Sequence, residues 1–230
     1  MDAEKILAGQ RGSVPRYTSY PTAPHFTDQA GLAIARSRLE RLPASEAVSL
    51  YLHIPFCDRL CWFCGCHTKH TLKYAPVEAY VGALMTELAT VRETAGRRLR
   101  LAQLHLGGGS PSMLRRPDLE RLANALRENF DVGSHTEISV EIDPSDVTDE
   151  TLAGLVALGV TRASVGVQDF SEAVQEAINR PQTFEQTRDV IAALRATGIH
   201  SLNIDALYGL PLQTEDRLLQ TIDQVLSLSP

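Results

Sequence analysis

The stretch Tyr51–Cys66, YLHIPFCDRLCWFCGC, carries every cysteine of the chain: Cys57, Cys61, Cys64 and Cys66. The first three are spaced C-x3-C-x2-C, which bends one loop so that three thiolates face a common point. Thiolates are soft ligands that suit iron–sulfur clusters or zinc. A [4Fe–4S] cube held by three cysteines keeps one iron without a protein ligand. An open metal position is where a small molecule can bind and be activated. A structural zinc site would use all four thiols, but such sites usually come as two separated C-x2-C pairs. The chain has no second pair. Four cysteines this close could staple only a tiny disulfide loop. Spacing alone favours the cluster and leaves zinc as the next reading.

Composition sets the frame for that loop. A chain of 230 residues is long enough for one or two domains with a sizeable core. Hydrophobic residues make up 43% and charged residues 22%, ordinary values for a globular protein. A net charge of −6 gives no reason to expect nucleic acid or an acidic membrane surface as partner. No uncharged apolar run approaches the ~18 residues of a membrane span. The start, MDAEKILAGQRG, lacks the apolar core of a signal peptide. Clustered thiols without an export signal predict a reducing cytosol, so the expected location is cytoplasmic.

The chain then divides into an N-terminal arm, residues 1–47, and a domain from 48 to 230. The arm contains Arg16-Tyr17-Thr18-Ser19-Tyr20-Pro21-Thr22 and has no clean period until a short amphipathic helix over 29–41. From Val48 strand-like and helix-like segments alternate. Strands are predicted over 48–54, 101–106, 138–142, 163–167 and 202–207. Helices are predicted over 77–94, 117–130, 148–158, 171–179, 184–196 and 215–226. In the first of these helices Val77, Tyr80, Val81, Leu84, Leu88 and Val91 recur at intervals of three and four. The βα order predicts an α/β fold with a parallel sheet and right-handed crossovers. The strands read as nearly continuous apolar runs, as expected for burial on both faces. Pattern alone permits a doubly wound sheet. A closed eight-stranded barrel needs more units than are present.

Ligands of parallel α/β folds bind at the carboxyl ends of the strands, and the polar residues of this chain gather there. The cysteine loop follows the first strand, and Gly107-Gly108-Gly109-Ser110-Pro111-Ser112 follows the second. Glu141 and Asp143 end the third, Gln168 and Asp169 the fourth, and Asp205 lies near the end of the fifth. Glycines without Cβ atoms let backbone approach a ligand closely. The phosphate-binding reading of the run is weak, because neither G-x-G-x-x-G nor a Walker lysine is present. A triple glycine alone is more often a tight turn, and Glu141 alone reads as an ordinary strand-end carboxylate. His53, inside the first strand, reads as a packed or hydrogen-bonded histidine, and His67 and His70 as loop residues. His105 and His200 carry no signal.

The cysteine spacing, with Phe63 just before Cys64, resembles the signature of the radical S-adenosylmethionine (SAM) superfamily. The Gly107–Pro111 run resembles that superfamily's GGG[TS]P motif. The fuller string, with Tyr51, His53-Ile54-Pro55-Phe56 and Cys64-Gly65-Cys66, resembles the oxygen-independent coproporphyrinogen III oxidases. So do PRYTSYPTAPHF, SVGVQDF and NIDALYGLP. The resemblance implies a partial (β/α)6-type barrel, here about five βα units. It also implies that the chain is the N-terminal half of a longer protein, truncated at its C-terminal end. It implies a [4Fe–4S] cluster on Cys57, Cys61 and Cys64, with Cys66 not a ligand. Two SAM molecules follow from it, the first at Tyr51, Gly108 and Glu141. The second falls to Phe63, Gly109, Ser110, Gln168, Arg180 and Asp205. Arg16 is expected to pair with a substrate propionate.

The implied activity belongs to haem (porphyrin) biosynthesis. Two propionate side chains of coproporphyrinogen III are decarboxylated oxidatively to vinyl groups by 5′-deoxyadenosyl radical chemistry, giving protoporphyrinogen IX. The implied partners are that substrate, an electron donor and an electron acceptor, with the chain a monomer. The alternative is a haem-binding chaperone of the same superfamily that does not decarboxylate. The RYTSYPT arm and Cys64-Gly65-Cys66 speak against it.

Overall fold

The computed structural model of the chain describes residues 25–27 and 31–230. Arg16 and the RYTSYPT arm lie outside the described residues. The chain falls into two units, Met1–Leu39 and Glu40–Pro230. Helix α1 (Leu32–Arg41) crosses the division and buries no residue. The second unit holds the sheet.

Five strands build that sheet: β1 (Ala47–Ile54), β4 (Leu99–Gly108), β5 (Phe130–Ile142), β6 (Arg162–Gln168) and β7 (Ser201–Ala206). They pair in the order β1-β4-β5-β6-β7, every pair parallel. A doubly wound sheet reverses its order at a switch point, and this one never does. Right-handed crossovers laid down in one direction put the connecting helices on one face, as in a barrel wall. The helices are α2 (Ala75–Ala95), α3 (Arg116–Asn129), α4 (Asp149–Leu158), α5 (Glu172–Ala177), α6 (Phe184–Ala196) and α7 (Glu215–Ser227). The partial parallel βα barrel expected from the sequence is the fold found.

Local chemistry explains most helix ends. Thr148, Thr183 and Thr214 cap α4, α6 and α7, each side chain accepting from the backbone N–H three residues on. Such a cap is worth about 1 kcal/mol. Pro76 and Pro117 sit in the first turns of α2 and α3, where a missing N–H costs nothing. The apolar stripes are buried: Val77, Val81, Leu84 and Leu88 on α2, and Leu119, Leu122 and Leu126 on α3.

The strands depart from the sequence reading first in their burial. They alternate rather than burying both faces. Leu52, Ile54, Leu104, Leu106, Val140, Ile142, Ala163, Val165 and Val167 are buried. The residues between them present a polar face: Tyr51 and His53, His105, Ser139 and Glu141, Ser164 and Gln168. Register carries that face across the sheet, pairing Tyr51 with His105, His105 with Ser139, Glu141 with Ser164, and Ser164 with Asn203. Strand β7 buries no residue at all.

Two further differences have plain causes. Strand β5 begins at Phe130, not Ile138, because Phe130–Val132 pairs with Leu99–Leu101 before the register shifts. Thr136 stitches the irregular turn between, donating to the Leu101 carbonyl at 2.7 Å and accepting from the Gly133 N–H at 3.0 Å. The cysteine loop is flanked by two strands too short to show a period, β2 (Phe56–Cys57) and β3 (Lys69–His70), which pair in parallel.

Candidate cofactor site

Pro55 ends β1, and the chain turns into β2 and the cysteine loop. Lys69 donates its N–H to the Pro55 carbonyl (2.7 Å) and Thr71 to that of Cys57 (2.9 Å), closing the loop at its base. Gly109 donates to Ile54 (2.8 Å) and Ser110 to Phe56 (2.8 Å), fastening it to the glycine run. The Trp62 N–H donates to the Ile178 carbonyl at 2.9 Å, and Asn179 Nδ2 to Leu60 at 2.8 Å, fastening it beyond α5. Three separate elements therefore hold the thiols in place.

No disulfide links the four cysteines. All four border one cavity of about 290 Å3. Phe63, Gly108, Gly109, Ser110, Glu141, Gln168, Arg180 and Asp205 border the same cavity. Of the expected cofactor residues only Tyr51 stands outside its lining. Tyr51 stacks on His105, with ring centroids 5.8 Å apart and planes at 15°. Its hydroxyl lies 2.9 Å from His53 Nδ1, and His53 Nε2 lies 2.8 Å from the His67 carbonyl. Both His53 nitrogens are thus engaged, as expected for a hydrogen-bonded histidine rather than a ligand.

The glycine run is a close-approach backbone. Gly108 adopts φ +120°, and a Cβ there would lie 2.7 Å from the His53 ring. A Cβ on Gly109 would lie 2.5 Å from the Phe56 carbonyl oxygen and 2.9 Å from Cys57 Sγ. The Glu141 carboxylate accepts from the Gly108 N–H at 3.0 Å through Oε2, and its Oε1 lies 3.2 Å from His105 Nε2. His105 Nδ1 lies 2.8 Å from Ser139 Oγ. Ser110 points its hydroxyl at Asp146 and lies 3.1 Å from Ser112 Oγ.

On the far side, Gln168 sits at φ +70°, an uncommon conformation for a residue with a Cβ. Asp205 accepts from Ser164 Oγ (2.8 Å) and from Asn203 Nδ2 (2.7 Å). Arg180 donates to Asp143 Oδ2 at 3.0 Å, to the Gly166 carbonyl at 2.9 Å and to Cys61 Sγ at 3.4 Å. Phe63 packs on Val174, Ile178 and Leu210. Asp169 does not belong here. It is fully buried and accepts from the Ser171 N–H, Gln213 Nε2 and Thr221 Oγ1. It latches the ends of β6 and β7 to α7 as a structural group.

The electrostatics ask for a cation. Burial pushes the Cys57 thiol up to about 12, and the neighbouring Cys64 and Cys61 thiolates with Asp146 and Asp143 add to it. Burial likewise raises Asp146 to about 6, against the lowering effect of the Ser110 hydrogen bond. Three thiolates crowded beside carboxylates are stable only when a metal group displaces their protons. Among the described residues no three His, Cys, Asp or Glu side chains converge tightly enough to hold one metal ion. A cavity ringed by thiols suits a polynuclear sulfur-rich group better than one zinc. Arg180 borders the same cavity, and its Nε is buried without a hydrogen-bond partner. The residues present fit an iron–sulfur cluster with an amino-acid ligand beside it.

His105, Asp143 as the partner of Arg180, Asp146, Ser164 and Asn203 were not read from the sequence as site residues. Asp143 alone carried a signal, its place at a strand end.

Comparison with known proteins agrees with this geometry. A family model described as the radical SAM superfamily matches residues 51–225. An oxygen-independent coproporphyrinogen III oxidase of Paracoccus denitrificans is 44% identical over 217 residues, covering 94% of this chain and 48% of that protein. The Escherichia coli protein of the same description is 41% identical, covering 95% of this chain and 47% of its own length. The solved structure of the E. coli coproporphyrinogen III oxidase, described as a radical SAM enzyme, superposes with a TM-score of 0.88 at 38% identity. That match covers 100% of this chain and 50% of the other. The chain spans about half the length of the curated relatives it matches.

Proposed function

The chain belongs to the radical SAM superfamily, and on that premise we propose that it forms the cluster- and SAM-binding part of an anaerobic coproporphyrinogen III oxidase. The family implies a [4Fe–4S] cluster and SAM. In the proposed assignment Cys57, Cys61 and Cys64 hold the cluster, and two SAM molecules bind beside it. The observation that carries this reading is the single cavity bordered by the three thiols, the glycine run, Glu141, Gln168, Arg180 and Asp205.

When bound, the cluster and SAM supply the radical that takes a hydrogen atom from a propionate β-carbon. Each of the two reacting propionates of coproporphyrinogen III also loses CO2 and one electron as its vinyl group forms, the electron passing to an external acceptor. Protoporphyrinogen IX results after two such events. The protein's share is binding, orientation and exclusion of water. Gly108 and Gly109 let the backbone close on the ligand. The first SAM is assigned to Tyr51, Gly108 and Glu141, and Glu141 accepts hydrogen bonds while its own orientation is fixed by Gly108 N–H and His105. The second is assigned to Phe63, Gly109, Ser110, Gln168, Arg180 and Asp205. Asp205, held by Ser164 and Asn203, offers acceptors for hydroxyl groups. Arg16 is proposed to pair with a propionate carboxylate.

No helix among the described residues is long and apolar enough to cross a membrane. The proposed setting is the reducing cytosol, with an electron donor and an acceptor as partners and the protein a monomer. The test is anaerobic reconstitution followed by incubation with SAM, reductant and coproporphyrinogen III, with porphyrins read by chromatography. Vinyl products with about two SAM consumed per substrate are expected. SAM cleavage with unchanged porphyrin, repeated after the second half of a relative is supplied in trans, overturns the reading.

A further inference from the structure

Arg180 is held where few arginines are. Its side chain is only 12% exposed, and it follows Asn179, whose backbone is left-handed at φ +56°. The Asn179 side chain and the Ile178 carbonyl both grip the cysteine loop. The guanidinium then spans from the Gly166 carbonyl to the Asp143 carboxylate and the Cys61 sulfur. Burial works against its charge, and the Asp143 carboxylate with the Cys61 hydrogen bond more than restores it. A buried cation therefore donates directly to one of the three sulfurs assigned to the cluster.

An electron entering an iron–sulfur cluster spreads onto its sulfurs. Donors and positive charge at those sulfurs stabilise the reduced form and raise the potential. A carboxylate at the same place does the reverse. We propose that Arg180 and Asp143 form an opposed pair that sets the reduction potential of the cluster through the sulfur of Cys61. The inference rests on the cluster assignment above and goes beyond it, since ligand binding by Arg180 does not require any contact with the sulfur. Arg180 pulls the potential up, Asp143 trims that pull, and their 3.0 Å ion pair fixes the balance.

The experiment is a redox titration of the anaerobically reconstituted protein without SAM, followed by the electron paramagnetic resonance of the reduced cluster. Wild type, Arg180→Gln and Asp143→Asn are compared, with iron and sulfide contents measured on each. Arg180→Gln is expected to lower the midpoint and Asp143→Asn to raise it. Each shift should change the ratio of reduced to oxidised cluster at fixed potential about tenfold, which is about 59 mV for one electron. Damage to the site would move both variants the same way or strip both of iron, so opposite signs separate tuning from structural support. If Arg180→Gln takes up no iron, Asp143→Asn decides alone: a raised midpoint supports the pair, and an unchanged or lowered one overturns it. A wild-type chain that takes up no iron and sulfide overturns the cluster assignment and the inference together. A loaded chain whose midpoints do not move overturns the inference only.

Discussion

The two ends of the cavity are held in different ways. At the thiol end the loop hangs from backbone hydrogen bonds to Ile54, Pro55, Phe56 and Ile178, and the strands behind it are fully buried at Leu104, Leu106 and Val140. At the β7 end the strand buries nothing, and Asp205 is positioned by side chains, Ser164 and Asn203. Backbone bonds survive most substitutions because every residue carries the same groups. Side-chain bonds vanish with one mutation. The thiol end should therefore resist change in sequence except at the sulfurs and glycines, and the β7 end should be easy to retune and cheap to damage.

The largest effect expected is loss of the cluster. Cys57→Ser, Cys61→Ser or Cys64→Ser should abolish the iron–sulfur absorbance after reconstitution, and Cys66→Ser should retain it. Full absorbance in any of the first three would break the assignment of the thiol end.

Stability should then separate the two regions directly. Leu104→Ala removes a fully buried side chain and is expected to cost about 2–5 kcal/mol in denaturant titrations. Ile204→Ala on half-buried β7 should cost about 1 kcal/mol, since full burial of such a side chain is worth only about 1.5–3. Equal losses would erase the contrast.

Gly109→Ala sharpens the comparison at the loop. Its Cβ would meet the Phe56 carbonyl oxygen at 2.5 Å, backbone that cannot swing aside. A loss of about 1–3 kcal/mol is expected, with reduced iron uptake. Unchanged melting and uptake would show that the tethers give more than the hydrogen bonds imply.

A pH effect belongs to the thiol end alone. The folded Asp146 carboxyl is raised from 3.8 to about 6, first by burial. A carboxyl raised on folding binds its proton more tightly in the native state, so it lowers stability as pH climbs from about 4 to 6. Asp146→Asn should flatten that decline in the melting temperature of the metal-free chain. A variant that follows the wild-type slope would assign the decline to other groups.

The smallest effect lies at β7. Ser164→Ala removes one partner of Asp205 and should cost about 1 kcal/mol or less, while weakening adenosyl-ligand binding more than cluster loading. Binding unchanged by calorimetry would mean that Asn203 alone orients the carboxylate.

Much of this contrast was legible in the sequence. The alternation of apolar strands with helix-period segments gave the order of elements, and most bounds to within a few residues; the start of β5, at Phe130 rather than Ile138, is the exception. The cysteine spacing and the glycine run marked the thiol end, because close approach leaves a residue-type signature. The β7 end left none. Ser164 and Asn203 look like polar interruptions of apolar strands until register pairs them with one another. His105 carried no pattern for the same reason: its meaning comes from Ser139 across the ladder and Glu141 two residues on. Asp169 misled because a strand-end carboxylate looks the same whether it meets a ligand or a buried Thr221 and Gln213. The alternation of the sheet was hidden because His53, His105 and Ser139 are too few to break the apolar reading of each strand.

The two-residue pair β2–β3 has one further consequence. By joining Cys57 to His70 it ties residues 58–69 into a ring before any metal arrives. The conformational entropy of closing that ring is lost when the chain folds, not when the site is loaded. Loading then has only the inner turns of the ring left to order, and preorganisation of that kind appears as tighter binding without a single added contact. A chain with the pair unzipped would have to close the ring and bind in one event, and its metal affinity would fall steeply as temperature rises.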